Sequence, residues 1–339
     1  MLRPLRLAIA LSLAAGSAAQ AQWAANRPDS HAPFGVSMDH THEAGGFMLS
    51  YRYMFMKMNG LRIGTQNVTA QDVLNLGYMA TPTDMQTQMH MFGAMLAPLE
   101  KLTLVAMVPF AVKSMDHATT AGPYTTESSG LADLKVGGMW KLEPARGQLV
   151  HIIFAASFPT GSIDKTDDTP MGDDVTLPYP MQIGSGTFDL SPGLTYLGQA
   201  NDLSWGLQGL TTFRLGENDR DYRLGDRYTA TSWAAYRINE WLSGSVRLDW
   251  TNQEDIEGAD SELNPAVVPT ADPDLQGFKR WSAGFGINTH IRQGTFRGLR
   301  LSGELVVPFD QDLTGPQLET DWYLIVGAQY SGETGWFGG

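Results

Sequence analysis

The sequence contains no cysteine in 339 residues. An exported domain without disulfides must hold itself together by another device, and a closed β-barrel is one, since every backbone group is paired around the ring. Basic residues are also scarce, 23 Lys and Arg against 36 Asp and Glu, for a net charge of -13. That balance excludes a nucleic-acid partner, because neutralising phosphates needs clustered cations. Long hydrophobic runs are missing beyond the first residues, so no segment approaches the roughly 20 apolar residues of a membrane-crossing helix. Catalytic signatures are equally thin. There is no His-Glu-x-x-His spacing, and Asp116-His117 are neighbours on a strand pattern, where adjacent side chains point to opposite faces. The chain is therefore not expected to be an enzyme, with an outer-membrane hydrolase as the rival class.

The chain does carry an address. Arg3 and Arg6 precede a short apolar run, Leu7 to Ala15, and Ala19-Gln20-Ala21 supplies a small-x-small cleavage site. The expected organisation is a signal peptide at 1–21, an N-terminal segment at 22–45 that is periplasmic, binds metal or enters a lumen, a barrel at 46–331, and a tail at 332–339.

After Gly45 the dominant signal is period two. Leu242, Val246, Leu248 and Trp250 alternate with Ser243, Ser245, Arg247 and Asp249, and Leu299, Leu301, Leu305 and Val307 alternate with Arg300, Ser302 and Glu304. One apolar and one polar face at this spacing defines a two-faced strand. Such segments fall near 46–58, 83–97, 101–116, 129–142, 147–160, 184–199, 203–217, 225–238, 241–254, 278–292, 297–311 and 319–331. Connections alternate between short turns and long polar loops, and aromatics such as Tyr51, Trp140, Trp250, Trp281 and Trp322 gather near strand ends. A soluble β-sandwich also alternates, but its strands are shorter and its surface more charged than the 17% found here. The expected fold is all-β: a transmembrane antiparallel barrel of about 12 strands in a Gram-negative outer membrane, with both termini periplasmic. Its partners would be outer-membrane lipid, lipopolysaccharide, the barrel-assembly machinery and a small-molecule solute.

Gly130-Leu-Ala-Asp133-Leu-Lys-Val-Gly137 and Gly186-Thr-Phe-Asp189-Leu-Ser-Pro-Gly193 share a spacing, each followed by an aromatic, Trp140 and Tyr196. With Val108-Pro109-Phe110 and Phe158-Pro159-Thr160-Gly161, these residues resemble the outer-membrane family grouped as "MetA-pathway of phenol degradation", most clearly over about 100 to 200. The resemblance implies a barrel that passes small, often apolar compounds. The Met- and His-rich first third departs from that pattern, as does the extension after Tyr330.

All 16 methionines lie at or before Met181. The first strand sends Arg52, Met54, Met56 and Met58 into the lumen, and the third sends Met107, Met115 and His117 there. In the second strand Gln86, Gln88 and His90 are placed on the lumenal face, which leaves Met85, Met89, Met91 and Met95 to lipid as flexible hydrophobes. The rest of the expected lumen lining is Asp133, Lys135, His151, Asp189, Arg247, Asp249, Arg280, His290, Arg300 and Glu304, with Arg214 among its charges. Mixed charge points to internal ion pairs or to a weakly selective aqueous path, and a twelve-stranded lumen is narrow enough for side chains or residues 22–44 to fill.

Thioethers with imidazoles suit Cu(I), and imidazoles alone suit Cu(II) or Zn(II). The candidate metal residues are His31, Met38, His40, His42, Met115 and His117; the Met-Asp-His triplets at 38–40 and 115–117 resemble those of copper-handling proteins. The acidic loops around Asp164–Asp174 and Asp255–Asp274 are candidate surface sites for Ca²⁺ or Mg²⁺. The expected function is a porin-like transporter for a hydrophobic, aromatic or copper-linked solute. The alternatives are a copper-binding protein of a metal-resistance system, a structural or surface barrel without transport, and the hydrolase.

Overall fold

The computed structural model describes residues 23–145 and 147–334, so the expected signal peptide and the last five residues lie outside the described part. Eleven long strands run consecutively around one sheet: β1 Gly46–Gly64, β2 Ala80–Leu99, β3 Leu102–Thr119, β4 Leu134–Ala145, β5 Gln148–Phe158, β6 Phe188–Ala200, β7 Leu203–Leu215, β8 Arg227–Arg237, β9 Leu242–Gln253, β10 Phe278–Thr289 and β11 Leu299–Glu333. Each pairs antiparallel with the next, and β11 returns to β1 with Phe47 opposite Gly332 and Tyr53 opposite Val326.

A ring of wholly antiparallel neighbours needs an even number of staves, and β11 supplies two. Its first arm pairs with β10 through Ser302–Leu313, and its second pairs with β1 through Leu313–Glu333. The arms are tied to each other where Ser331 N donates to Gly298 O at 3.1 Å and Gln311 Nε2 donates to Thr320 O at 3.1 Å. The wall therefore has twelve crossings, as the sequence pattern predicts. A short strand, Tyr124–Leu131, prolongs pairing on the long-loop end of β3 before β4 begins at Leu134.

The two faces of the wall have opposite chemistry. Leu49, Phe154, Leu207, Val246 and Phe285 are each more than half exposed on the outside. A continuous apolar surface of this extent belongs against lipid rather than water. Inside, Thr103, His151, Ser191, Thr195, Ser282 and Glu304 are buried. The short turns ring one end, while the long loops fold over the other.

One strand departs from the sequence reading. In β2 the odd positions face inward: Met85 is buried, and Met95 packs with Val105, Met139 and Ile153. His90 faces outward, its Nδ1 2.8 Å from the exposed Tyr51 hydroxyl, and Gln88 accepts from the Tyr53 hydroxyl at 3.1 Å. His90 is thus no part of the lumen lining. Cross-strand tyrosines satisfy these polar groups on the outer face, which removes the cost that would otherwise turn them inward.

Candidate functional site

Residues 23–45 form a strap inside the barrel. Their small and apolar residues give the reason: Ala32, Phe34, Val36 and Met38 are buried against the inner wall, Phe34 beside Val306, Tyr323 and Ile325, and Val36 beside Leu197 and Trp233. The strap makes little regular structure beyond one 3₁₀ turn, Pro28–Ser30, so its backbone groups need partners from the wall. Glu304 accepts from Gly35 N at 2.5 Å, Gln208 donates to Ser37 O at 3.1 Å, and His151 Nε2 lies 2.9 Å from Met38 O. Arg300 donates to Ala25 O and Arg27 O, both at 3.0 Å, and Arg52 donates to Ser37 Oγ at 3.0 Å while its guanidinium lies over the Phe34 ring. The wall's inward polar residues hold the strap in place.

Around the strap several of the lining charges are paired. Arg247 donates to Glu304 at 2.7 Å and to Asp249 at 3.0 Å, and Thr231 donates to Asp249. Arg280 donates to Thr320 at 2.8 Å, and Arg214 pairs with Asp189. Lys135 stands on the inner face of β4 among charges of both signs, Arg214 and Arg227 as well as Asp189 and Asp133. Asp133 accepts from Gly161 N at 2.9 Å and from Ser185 N and Oγ at 2.8 Å, so the aspartate of the repeated motif pins the start of β6 to that of β4. Met54 and Met56 pack with the Phe34 cluster, and Met107 with the Met38 cluster.

The two ends of the lumen differ. Toward the long loops, Met58, Met85, Met115 and Met181 gather with Leu61, Val73, Leu177 and Leu318 in one apolar cluster. Above it the loops form a lid: Tyr179, Tyr222 and Ile256 pack together, and Arg220 joins Asp164 at 2.6 Å, Glu262 at 2.7 Å and Asp260 at 3.1 Å. The hydrogen bonds from Thr176 and Arg220 hold the Glu262 carboxyl below the ordinary glutamate range, and burial pushes the Tyr222 phenol up to about 12. Toward the short turns the lumen widens into a vestibule of about 2040 Å³, lined by Trp23, His31, His40, His42, Trp241, His290 and Arg300 among others. There His290 Nδ1 lies 2.9 Å from Asn26 O.

The candidate metal residues divide between these places. His31, His40 and His42 stand together at the vestibule. Met38 turns its side chain into the apolar cluster with Val105 and Met139. Met115 lies among the methionines at the far end, where His117 stacks on Tyr124 at 4.6 Å. The six residues thus form no single site. Asp116 and His117 also separate: Asp116 is exposed and accepts from Thr125, whereas His117 is buried. Nothing in the sequence pattern singles out Arg220 or its three carboxylates as a latch, because their proximity depends on how three separate loops fold.

The fold and its lining define an outer-membrane-type β-barrel whose lumen is occupied by its own N-terminal strap. Residues 25–302 match the family model "Putative MetA-pathway of phenol degradation", and the chain belongs to that family. Among solved structures it is similar to an outer membrane channel from Pseudomonas putida F1, at TM-score 0.63 and 12% identity, covering 88% of this chain and 99% of that one. A looser likeness, TM-score 0.47 at 12% identity, links 88% of it to 93% of the transport unit of the autotransporter AIDA-I from Escherichia coli. No curated protein matches the sequence.

Proposed function

We propose that this protein is a strapped outer-membrane channel that admits a small, apolar or aromatic solute. The observation that carries the reading is the strap itself. Over the length of the strap the lumen holds polypeptide in place of large wall side chains, and the strap is held by hydrogen bonds and a few apolar contacts rather than by covalent links. Moving it aside opens that stretch to about the cross-section of an extended chain, as far as the methionine cluster beneath the lid. The methionine cluster at the long-loop end, once its packing parts, offers such a solute a polarisable, adaptable surface, and thioethers make favourable contacts with aromatic rings. The family's phenol-degradation description points to the same class of compound.

Planar-bilayer recordings test this. The full chain should give small or rare conductance steps, and a variant lacking residues 23–44 should give larger, sustained ones. Phenol entry into liposomes should rise in parallel. A silent membrane with both proteins would overturn the reading.

A further inference from the structure

Three of the seven histidines lie within twelve residues of the strap. The chain reverses near Met38, whose φ of 54° is in the left-handed region, and this brings the rings together. His31 and His40 have centroids 3.8 Å apart, and His42 sits edge-on to His40 at 5.0 Å. One donor atom from each of His31, Asp39 and His40 lies within 4.8 Å of the others.

The hydrogen bonds sort the ring nitrogens. His40 Nδ1 is 2.9 Å from Asp39 Oδ1, and the other carboxylate oxygen accepts from Ala32 N at 2.9 Å. His31 Nδ1 is 3.2 Å from Gln329 Oε1 on the wall. The Nε2 atoms of His40 and His42 are buried and have no hydrogen-bond partner, and His40 as a whole is 6% exposed. Buried polar atoms are otherwise costly to leave unpaired. An imidazole whose Nδ1 is fixed by a carboxylate or amide while Nε2 stays unpartnered is the arrangement found around metal ions.

We infer that the strap is a metal site in which His31 and His40, which already hold a donor atom each within 4.8 Å of the other, ligate one borderline divalent cation, Cu(II) or Zn(II), through Nε2, and the unpartnered Nε2 of His42 turns in as the third ligand. Asp39 and Gln329 act as positioning residues on His40 and His31. The donor chemistry decides the class of ion: imidazole suits these cations, whereas Cu(I) would call on thioethers, and the Met38 side chain packs elsewhere. The cluster faces the vestibule, so an ion enters from the short-turn end without crossing the lumen. Asp39 and Glu43 supply negative charge beside it, against Arg300, which is engaged with strap carbonyls, and Arg52, which bonds Ser37 Oγ. The site uses the strap's own side chains and stands whether or not the barrel conducts.

The test is a titration of tag-free full-length protein in detergent with CuSO₄ or ZnCl₂ against a chromophoric chelator. One equivalent should bind per chain. His40→Ala with His42→Ala should abolish that equivalent, and Asp39→Asn should weaken it by roughly 10–100-fold. His117→Ala and His290→Ala should leave it unchanged. Heat-modifiable gel mobility reports whether each variant still forms the barrel, and His40→Gln with His42→Gln serves if the alanines do not fold. The Cu(II) spin-resonance spectrum should show nitrogen hyperfine splitting. Absence of binding, stoichiometry that survives removal of the histidines, or a spectrum with oxygen ligands alone as from the acidic loops, would each overturn the inference.

Discussion

At the scale of single residues, Glu304 joins the wall to the strap. It lies on the inner face of β11, fully buried, accepting from Arg247 on the neighbouring wall and from Gly35 N on the strap. Removing one partner of a buried pair leaves the other uncompensated, typically at about 3–5 kcal/mol. Glu304→Ala should therefore lower the urea midpoint of the refolded barrel and also free the strap, whereas Glu304→Gln, which keeps an acceptor, should do less of both. Gly35 makes the complementary case. A Cβ there would sit 2.6 Å from Arg247 Nη2 and 2.7 Å from Glu304 Oε2, so any side chain must push the ends of this ion pair aside. Gly35→Val changes no wall residue, and it should raise proteolysis within residues 23–45 while leaving heat-modifiable mobility intact. Unchanged proteolysis would mean the strap is held by contacts other than these. The identity of these partners was only half legible beforehand. Alternation put Arg247 and Glu304 on the inner face correctly, but which groups they bond depends on wall curvature and on a strap with no periodicity to read.

At the scale of elements, strands were legible where the two faces had unlike chemistry. In β9 and β11, Leu, Val and Trp alternate with Ser, Arg, Asp and Glu, and the inner and outer faces fall where the pattern puts them. In β2 the same rule gave the wrong face. Its alternating residues are Met against Gln and His, and methionine serves equally well against lipid and inside a lumen. The outer face there carries its polar groups in cross-strand pairs, Tyr53 with Gln88, Tyr51 with His90, and Lys57 with Asp84. A single strand's sequence contains only one member of each pair. The loops were still less legible. The acidic segments read as candidate cation sites, yet Asp164, Asp260 and Glu262 converge on Arg220. The lid should consequently depend on pH. Because the folded Glu262 carboxyl titrates below its free value of 4.5, its contribution is present above that pH and is lost as pH falls through the lower folded value. Limited proteolysis of the 255–277 and 161–187 loops should accelerate as the pH falls below the free glutamate value, and Arg220→Ala should show the accelerated rate at neutral pH. A cleavage rate indifferent to both would remove the latch from the account.

At the scale of the whole molecule, an unbroken wall and a detachable strap assign stability and passage to different parts. Backbone pairing closes around all twelve crossings, so the barrel does not need the strap to satisfy its ladder. The strap's contacts are many but individually modest: single hydrogen bonds of about 0.5–1.5 kcal/mol net, or about 1.5–3 kcal/mol where a charged wall group takes part, plus burial of a few side chains such as Phe34. That division predicts that locking the strap changes conduction and not folding. The sequence has no cysteine of its own, so an introduced pair reacts on a silent background. Asp29 on the strap and Ser204 on β7 already touch, the serine hydroxyl donating to the carboxylate at 2.5 Å. With Asp29→Cys and Ser204→Cys bridged by a short cleavable thiol reagent, the bilayer current of an otherwise open preparation should fall, and it should return when the bridge is cut. The apparent melting temperature should move by only a few degrees, since the cross-link restrains a segment that the wall does not rely on. Were bridging to leave the current untouched, the strap would be a lining that solutes pass beside, and the aperture would have to lie between it and the wall.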